Sequence, residues 1–295
     1  MSELTEFLDT VRRKTDATLE QMVPRSDVEP ARLHEAMRWS LFAGGKRIRP
    51  AILMAVGRTF GAADDRLART SAAVEMIHTY SLIHDDLPSM DDDDMRRGQP
   101  TCHKQFGEAT AILAGDCLQT LAFKTIADDE GLSCEMRIKL ISLIADAAGT
   151  PAGMVAGQQL DLDAEGKTLG IDEIETIHRG KTGAIISASA LAGAIIGEAS
   201  AEEQNCIEQY ASNLGLLFQT TDDLLDVTEQ SETLGKTAGK DISSGKATYP
   251  SHLGMERALA MADQIRSQAV SALLPINYDT TLLQMLADMI LNRKR

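Results

Sequence analysis

The segment that most restricts the fold of this chain is TGAIISASALAGAIIG at 182–197, which is apolar on nearly every side of a helix. A surface helix has one apolar stripe, whereas a helix that is apolar all round must be surrounded by other elements. No run of alternating β-branched residues indicates a sheet. The pattern therefore predicts an all-α fold with this segment in the middle of a large bundle. Further helical periodicity is present at 71–84, 108–128, 135–149, 204–229 and 251–273.

The connections between these segments predict a single domain. They are spaced like helix connections, and none is a long Pro/Ser-rich linker. A chain of 295 residues is long enough for one large core. We therefore expect one domain over residues 1–295, a single bundle of about ten helices. The predicted breaks are 23–30, 44–45, DLPSM, 149–153, 163–170 and 233–250.

An aspartate-rich stretch, HDDLPSMDDDDMRRGQPT, follows the apolar helix that ends near His84. Pro88 stops or kinks that helix, so Asp91 can curl back toward Asp85 from a loop. An aspartate run is most often a solvated loop. Because this run is attached directly to a very apolar helix, it instead favours the mouth of a cavity.

A second acidic cluster lies in another apolar segment, FQTTDDLLDV, which contains Asp222, Asp223 and Asp226. Gln219, Asp222 and Asp226 have the spacing of one helical face. Carboxylates in a largely buried helix need a neutralising partner, and bound cations are an economical one. Hard oxygen ligands suit Mg²⁺, and no EF-hand loop indicates Ca²⁺. Two such clusters facing one cavity would clamp a diphosphate through bridging metal ions.

Basic residues occur at several predicted helix boundaries, where they would compensate such a substrate. KTG at 181–183 is predicted to open a helix, whose N-terminus favours anions. His78 lies seven residues before Asp85, about two turns along the same face. Taken singly, each cation is more often an exposed surface charge, and a lone histidine is more often part of the core. The basic candidates are Lys46, Arg47, Arg49, Arg96, Arg97, Lys181, Lys236, Lys240 and Lys246.

Composition excludes several other classes of protein. The net charge of −15 argues against a general affinity for nucleic acid or anionic membranes. The N-terminus lacks the apolar run of a signal peptide, and no segment has the roughly 20 apolar residues of a membrane span. The four cysteines form no CxxC pair, so neither zinc nor a disulfide framework is predicted. We expect a cytoplasmic protein.

Together these motifs resemble those of the trans-isoprenyl diphosphate synthases. DDLPSMD at 85–91 is similar to their first aspartate-rich motif, D-D-x(4)-D, and DDLLD at 222–226 to the second, D-D-x-x-D. The four-residue gap in the first motif is similar to that of the bacterial short-chain type, the farnesyl diphosphate synthases. Six further segments match in order: GGKRIRP, MRRGQPT, GQQLDL, KTG, FQTTDD and GKTAGKD.

The resemblance implies an all-α fold around a deep central cavity, a homodimer, and a Mg-dependent prenyltransferase. Such an enzyme condenses isopentenyl diphosphate with dimethylallyl and geranyl diphosphate to give farnesyl diphosphate and pyrophosphate. The allylic C–O bond ionises, the isopentenyl double bond attacks the cation, and pyrophosphate accepts the released proton. Thr182 and Gln219 would place oxygen dipoles near that cation, and the chemistry needs no side-chain nucleophile.

The resemblance also assigns roles to individual residues. About three Mg²⁺ ions are implied, with Asp85, Asp91 and Asp222 as principal ligands and Asp86, Asp223 and Asp226 in support. The allylic diphosphate would contact Arg96, Lys181, Thr182, Gln219, Lys236 and Lys246. Isopentenyl diphosphate would bind Lys46, Arg49, His78 and Arg97. The catalytic set implied is Asp85, Asp86, Asp91, Arg96, Lys181, Thr182, Gln219 and Asp222.

Product length depends on a finer feature. Tyr80 lies five residues before Asp85, about 7.5 Å along a helix axis. Ordinary core packing would explain a tyrosine here. In the resembling enzymes a bulky aromatic residue at this position forms the floor that stops elongation, so Tyr80 favours a C15 product.

Three alternatives stay open. A geranylgeranyl diphosphate synthase is the alternative within the family. A cyclising terpene synthase is disfavoured, because GGKRIRP and Arg97 would then have no second diphosphate to bind. In another class, a non-catalytic helical protein that binds divalent cations leaves the basic positions without a purpose. Residues without an assigned role are Asp92, Asp93, Asp94 and the basic tail Arg293, Lys294 and Arg295.

Overall fold

The structure is a computed structural model that describes residues 3–167, 169–232 and 249–293, with side chains described except at 226–232 and at position 251. Its helices confirm the all-α prediction. These ranges contain fourteen α-helices and one π-helical turn, and their β-structure is a single pair of two-residue strands. The number of helices exceeds the expected ten partly because two of them are only five residues long.

In chain order, the helices are α1 (Glu3–Met22), α2 (Ala31–Leu41), α3 (Ile48–Thr59), α4 (Asp64–Asp85), α5 (Cys102–Phe106), α6 (Glu108–Ala127), α7 (Cys134–Ala148), α8 (Met154–Ala164), α9 (Ile171–His178), α10 (Ala184–Ile196), α11 (Ala201–Glu232), α12 (Tyr249–Leu253), α13 (Met255–Ala272) and α14 (Thr281–Leu291). The strands are β1 (Met95–Arg96) and β2 (Gln99–Pro100), and the π-helical turn is Arg179–Gly183.

The chain divides into two compact units, and the first comprises residues 1–142 and 195–197. Its centre is formed by α3 and α4, whose residues 50–57 and 70–77 are all buried. The buried middle of α4 leads to the first aspartate motif at its C-terminal end, where Asp85 is the last helical residue. The core of this unit therefore delivers the motif directly to the helix end.

The strands form an antiparallel hairpin that sequence periodicity missed. Arg97 and Gly98 connect them with φ values of 52° and 81°. Two consecutive residues at positive φ are the signature of a type I′ turn, which matches the twist of a two-residue hairpin. Strands of two residues are too short to produce an alternating pattern, so the hairpin left no periodic signal.

The second unit comprises residues 143–194 and 198–295. Its longest helix, α11, spans 32 residues and carries the second aspartate motif. The predicted apolar segment lies in α10, and no residue from 181 to 197 is exposed. The prediction that this apolar segment is shielded from solvent is confirmed. The single-domain organisation stays a prediction.

The apolar character of α10 reflects this burial. Across the part of the chain that the structure describes, no helix is both long and apolar enough to cross a membrane.

Candidate active site

The first aspartate motif turns back on itself as predicted. The helix α4 ends at Asp85, and the Asp91 N–H donates to the Asp85 carbonyl oxygen at 2.8 Å. The Asp92 N–H donates to the Leu87 carbonyl oxygen at 3.1 Å, and Asp92 itself adopts a left-handed conformation with φ 48°. This tight loop returns Asp91 to the helix end, so Asp85 and Asp91 belong to one local site.

Asp86 has a different environment from its neighbours. Its side chain is buried, and Arg96 approaches both carboxylate oxygens at 2.6 to 3.0 Å. Burial raises the pKa of Asp86, and the Arg96 guanidinium opposes that rise. Arg96 also lies 3.6 Å from Asp93. The pair ties the hairpin to the end of α4, so Asp86 and Arg96 each have a partner before any ligand binds.

Arg97 is directed toward the glycine pair of GGKRIRP. Its guanidinium donates a hydrogen bond to the Gly44 carbonyl oxygen. A Cβ atom at Gly45 would lie 2.7 Å from Arg97 Nη1, and Gly45 has φ 135°. The backbone conformation of the second glycine therefore favours glycine, and an added Cβ would also displace the Arg97 guanidinium.

Arg47 is a structural cation that the sequence could not distinguish from its neighbours. Its guanidinium is buried, donates to Glu75 at 2.8 Å and to Asp16 at 2.9 Å, and also donates to the Leu41 carbonyl oxygen. Glu75 is equally buried. Nothing in the sequence marks this Arg–Glu pair, since the partners are 28 residues apart. By contrast, Lys46 is exposed.

His78 lies on α4 within the electrostatic influence of several arginines. Burial lowers its pKa well below the usual range, and Arg49 and Arg97 are the next causes, followed by Arg96 and Arg47. The imidazole is therefore neutral at pH 7. Because Glu75 and Asp86 neutralise Arg47 and Arg96, the candidate contacts for an anion beside this neutral histidine are Arg49 and Arg97.

Tyr80 is buried on α4, and its ring meets His84 edge-on at 5.8 Å between centroids. The His84 ring lies against Gly115 of α6, where an added Cβ would come within 2.2 Å of Nε2. His84 Nε2 lies 3.1 Å from the Ile112 carbonyl oxygen. A glycine on α6 thus lets the two helices approach closely beside Tyr80.

KTG does not open a helix, and that prediction is wrong. The segment forms part of a π-helical turn, Arg179–Gly183, which continues α9 directly into α10. His178 before it and Ala184 after it both have right-handed helical backbone angles. A continuous helix has no free N-terminus at this point, so the N–H array expected to favour an anion is absent here.

Two close backbone contacts flank the π-helical turn. A Cβ at Gly157 of α8 would lie 2.1 Å from the Lys181 backbone nitrogen, and a Cβ at Gly215 of α11 would lie 2.7 Å from the Gly183 Cα. Only glycine permits α8 and α11 to approach the turn this closely. Because π-helical turns are often found at functional sites, the geometry gives KTG a reason other than helix initiation.

Lys181 is held by a carboxylate of the GQQLDL segment. Its Nζ lies 2.6 Å from Asp161 Oδ2, and both side chains are about a quarter exposed, at 26% each. Sequence reasoning assigned no role to Asp161. Asp161 lies four residues after Gly157 on α8, so both residues share the helix face that meets the π-helical turn. That spacing is the sequence signal that could have indicated a role for Asp161.

Thr182 begins a chain of hydrogen bonds that ends at α12. Its hydroxyl donates to Gln219 Oε1 at 3.1 Å, and Gln219 Nε2 donates to Asp223 Oδ1 at 3.1 Å. Asp223 is buried and also accepts from the Tyr249 N–H at 3.2 Å. The chain fixes which end of the Gln219 amide faces Thr182. Gln219 thus pairs with Asp223, four residues on, although its spacing from Asp222 is also helical.

Asp222 is paired with a residue from the C-terminal tail. The Arg293 guanidinium forms an ion pair with its carboxylate. Asp222 keeps 34% of its side chain exposed, whereas Asp223 is buried. The two neighbouring aspartates therefore differ: Asp222 is partly exposed and paired with Arg293, and Asp223 is buried and supports the Gln219 amide.

The donor chemistry of both motifs fits Mg²⁺. Within the described ranges, no three His, Cys, Asp or Glu side chains form a ready-made metal centre. Magnesium is commonly held by only one or two carboxylates, with phosphate oxygens and water as the remaining ligands. Asp85 with Asp91, and Asp222, meet that need. The Asp226 side chain, Lys236, Lys240 and Lys246 lie outside the described residues.

Comparison with known proteins gives consistent matches over almost the whole chain. A family model described as polyprenyl synthetase matches residues 30–273. The farnesyl diphosphate synthase of Escherichia coli (strain K12) is 45% identical, covering 99% of this chain and all of that protein. Geranylgeranyl pyrophosphate synthase 11 of Arabidopsis thaliana is 46% identical over 93% of this chain and 78% of that protein.

A solved structure agrees with these matches. The apo structure of an FPP/GFPP synthase from Zymomonas mobilis superposes with a TM-score of 0.87 and 36% identity, covering 98% of both chains. These relatives are named for products of different chain length, although their sequence identities to this chain are similar. Overall similarity therefore does not decide between them.

We predict that Gly157→Ala will destabilise the protein, because its Cβ would meet the backbone of Lys181 and Gly180. Overpacking of this kind costs about 1 to 3 kcal/mol in the free energy of unfolding. Urea unfolding followed by circular dichroism measures the change. Gly170→Ala is the matched control, since its Cβ would meet only Glu173 Oε2 at 3.6 Å. Equal stability of the two variants would contradict the proposed contact.

Proposed function

Because the chain belongs to the polyprenyl synthetase family, we propose that it is a short-chain prenyltransferase that makes farnesyl diphosphate. It condenses isopentenyl diphosphate with dimethylallyl and then geranyl diphosphate and releases pyrophosphate. The observation that carries this proposal is the first-unit site, where the Asp85–Asp91 loop and the arginines around His78 occur on and beside α4. Metal ligands and a second set of diphosphate contacts are what a two-diphosphate reaction requires.

Divalent cations are the proposed cofactor of both aspartate motifs. We assign about three Mg²⁺ ions to Asp85, Asp91 and Asp222, with Asp226 in support. Bound Mg²⁺ would neutralise the diphosphate oxygens and so favour departure of pyrophosphate. Asp86 and Asp223 stay possible ligands only if their present partners, Arg96 and Gln219, are exchanged. We therefore place both in supporting positions.

For the allylic diphosphate, the π-helical turn supplies two consecutive side chains, Lys181 and Thr182. Lys181, held by Asp161, supplies a positive charge for the diphosphate. Thr182 and Gln219 present oxygen atoms whose dipoles stabilise a developing carbocation. Because their orientation is fixed by Asp223, little reorganisation is needed when charge develops. Arg96, Lys236 and Lys246 are proposed as further diphosphate contacts.

On the isopentenyl side, Lys46, Arg49 and Arg97 supply positive charge and His78 a neutral hydrogen-bonding ring. The diphosphate of isopentenyl diphosphate stays attached in this reaction. These residues therefore position the double bond and do not assist bond cleavage. A purely cation-binding protein would have no use for this second set. We also propose a cytoplasmic location.

We predict that the purified protein forms a C15 product from isopentenyl and dimethylallyl diphosphates with Mg²⁺. Asp85→Ala should lower the rate about 10³-fold, because several kcal/mol of charge stabilisation are lost. Asp128→Ala, which removes an exposed partner of Lys124, is the control and should keep near-normal turnover. Absence of condensation by the unaltered protein would refute the function, and normal turnover by Asp85→Ala would refute the ligand assignment.

The length of the product tests Tyr80 separately. Removal of the buried ring in Tyr80→Ala should deepen the cavity and shift the product from C15 toward C20, measured by chromatography of the dephosphorylated products. Tyr80→Phe keeps the ring and should leave the C15 product unchanged. An unaltered C15 product from Tyr80→Ala would place the floor elsewhere. A C20 product from the unaltered protein would favour the geranylgeranyl alternative, which the plant relative supports.

We also propose a homodimer that uses α6. Ile112 and Leu113 are 44% and 54% exposed on this apolar helix, and adjacent exposed apolar residues often mark an interface. Leu113→Glu should convert a dimer into monomers in sedimentation equilibrium. Leu274→Glu, at a position 80% exposed in the second unit, should leave the dimer intact. A monomeric starting protein would end this proposal.

A further inference from the structure

The C-terminal tail approaches the second aspartate motif through one residue. Arg293 follows the end of α14 at Leu291, and its guanidinium lies 3.9 Å from the centre of the Phe218 ring. It also donates to the Phe218 carbonyl oxygen at 2.8 Å. Together with the ion pair to Asp222, these contacts hold the tail on α11 at three points.

We propose that Arg293 is a tethered counter-ion of Asp222 that competes with divalent cations for this carboxylate. The proposal rests on the proposed function only in taking Asp222 as a metal ligand. When a metal ion takes the carboxylate, Arg293 gives up the ion pair. The tail therefore sets how tightly the second aspartate motif holds metal before substrate arrives.

The geometry favours exchange over a permanent structural bond. Asp222 is about one-third exposed, so a hydrated cation has access to the carboxylate. The same Nη2 atom donates to the Phe218 carbonyl oxygen and pairs with Asp222, so the guanidinium must turn to leave the carboxylate, and its stacking on the Phe218 ring keeps it nearby. Ion pairs at such partly exposed positions are worth little net energy. The pair is consequently strong enough to neutralise Asp222 and weak enough to yield to a divalent ion.

A purely structural role for Arg293 makes a different prediction. If the residue only anchors the chain end, its removal lowers stability and leaves metal affinity unchanged or reduced. If it competes for Asp222, its removal raises metal affinity, and the increase requires Asp222. The two roles therefore differ in the sign of one measurement.

The test is Mn²⁺ binding without any isoprenoid, followed by the electron paramagnetic resonance signal of free Mn²⁺. Arg293→Gln should bind Mn²⁺ about 3- to 10-fold more tightly at the Asp222-dependent site. Adding Asp222→Asn to that variant should abolish the gain. Arg266→Gln removes an ion pair between Arg266 of α13 and Asp288 of α14, which lie 2.6 Å apart, and should leave the affinity unchanged.

A pair of shortened chains guards against misfolding of the substituted protein. A chain ending at Arg293 keeps the ion pair and should bind Mn²⁺ like the full chain. A chain ending at Asn292 loses it and should show the same gain as Arg293→Gln. Unchanged or weaker binding after loss of Arg293, a gain that persists without Asp222, or no Asp222-dependent binding at all would overturn the proposal.

The same variants separate this inference from the proposed function. Higher Mn²⁺ affinity in a protein that performs no prenyl transfer would refute the function alone. Normal prenyl transfer with unchanged Mn²⁺ affinity in Arg293→Gln would refute the counter-ion alone.

Discussion

Carboxylates on largely buried helices must be neutralised, and much of the candidate site is arranged around that requirement. Arg96 satisfies Asp86 at the end of α4, and Arg47 satisfies the fully buried Glu75 on the same helix. Arg293 does the same for Asp222. Each pair also fastens a separate segment to a core helix. Charge compensation thus shapes the backbone before it contributes to any reaction.

Within the second unit, glycine provides the complementary constraint. Gly157 and Gly215 allow α8 and α11 to reach the π-helical turn at distances that a single methyl group would prevent. The turn then carries Lys181 to Asp161 and Thr182 to Gln219. In this unit, glycines thus determine how closely the helices approach one another. The charged and polar residues determine which side chains pair with each other. The two requirements meet in GGKRIRP, where Gly45 leaves space for Arg97.

The sequence predicted the helices and the loop of the first aspartate motif well because both depend on local patterns. Apolar periodicity identified α10, and Pro88 correctly predicted the loop that returns Asp91 to Asp85. Partners distant in sequence were not predictable. Nothing local pairs Arg293 with Asp222, or shows that KTG continues a helix instead of starting one. Those outcomes depend on which helices pack together, which one sequence does not reveal.

The π-helical turn also has a consequence for helical phase. An α-helix advances by about 100° per residue, and a π-helical turn accommodates one residue more than an α-helical turn. The faces of α9 and α10 are therefore offset by one residue across Arg179–Gly183. Removing a single residue here would restore an ordinary helical turn and leave the two faces nearly in place. Forcing the present sequence into a regular α-helix would instead rotate α10 by about 100° relative to α9. The extra residue lets one continuous helix bury two faces that a regular helix could not align.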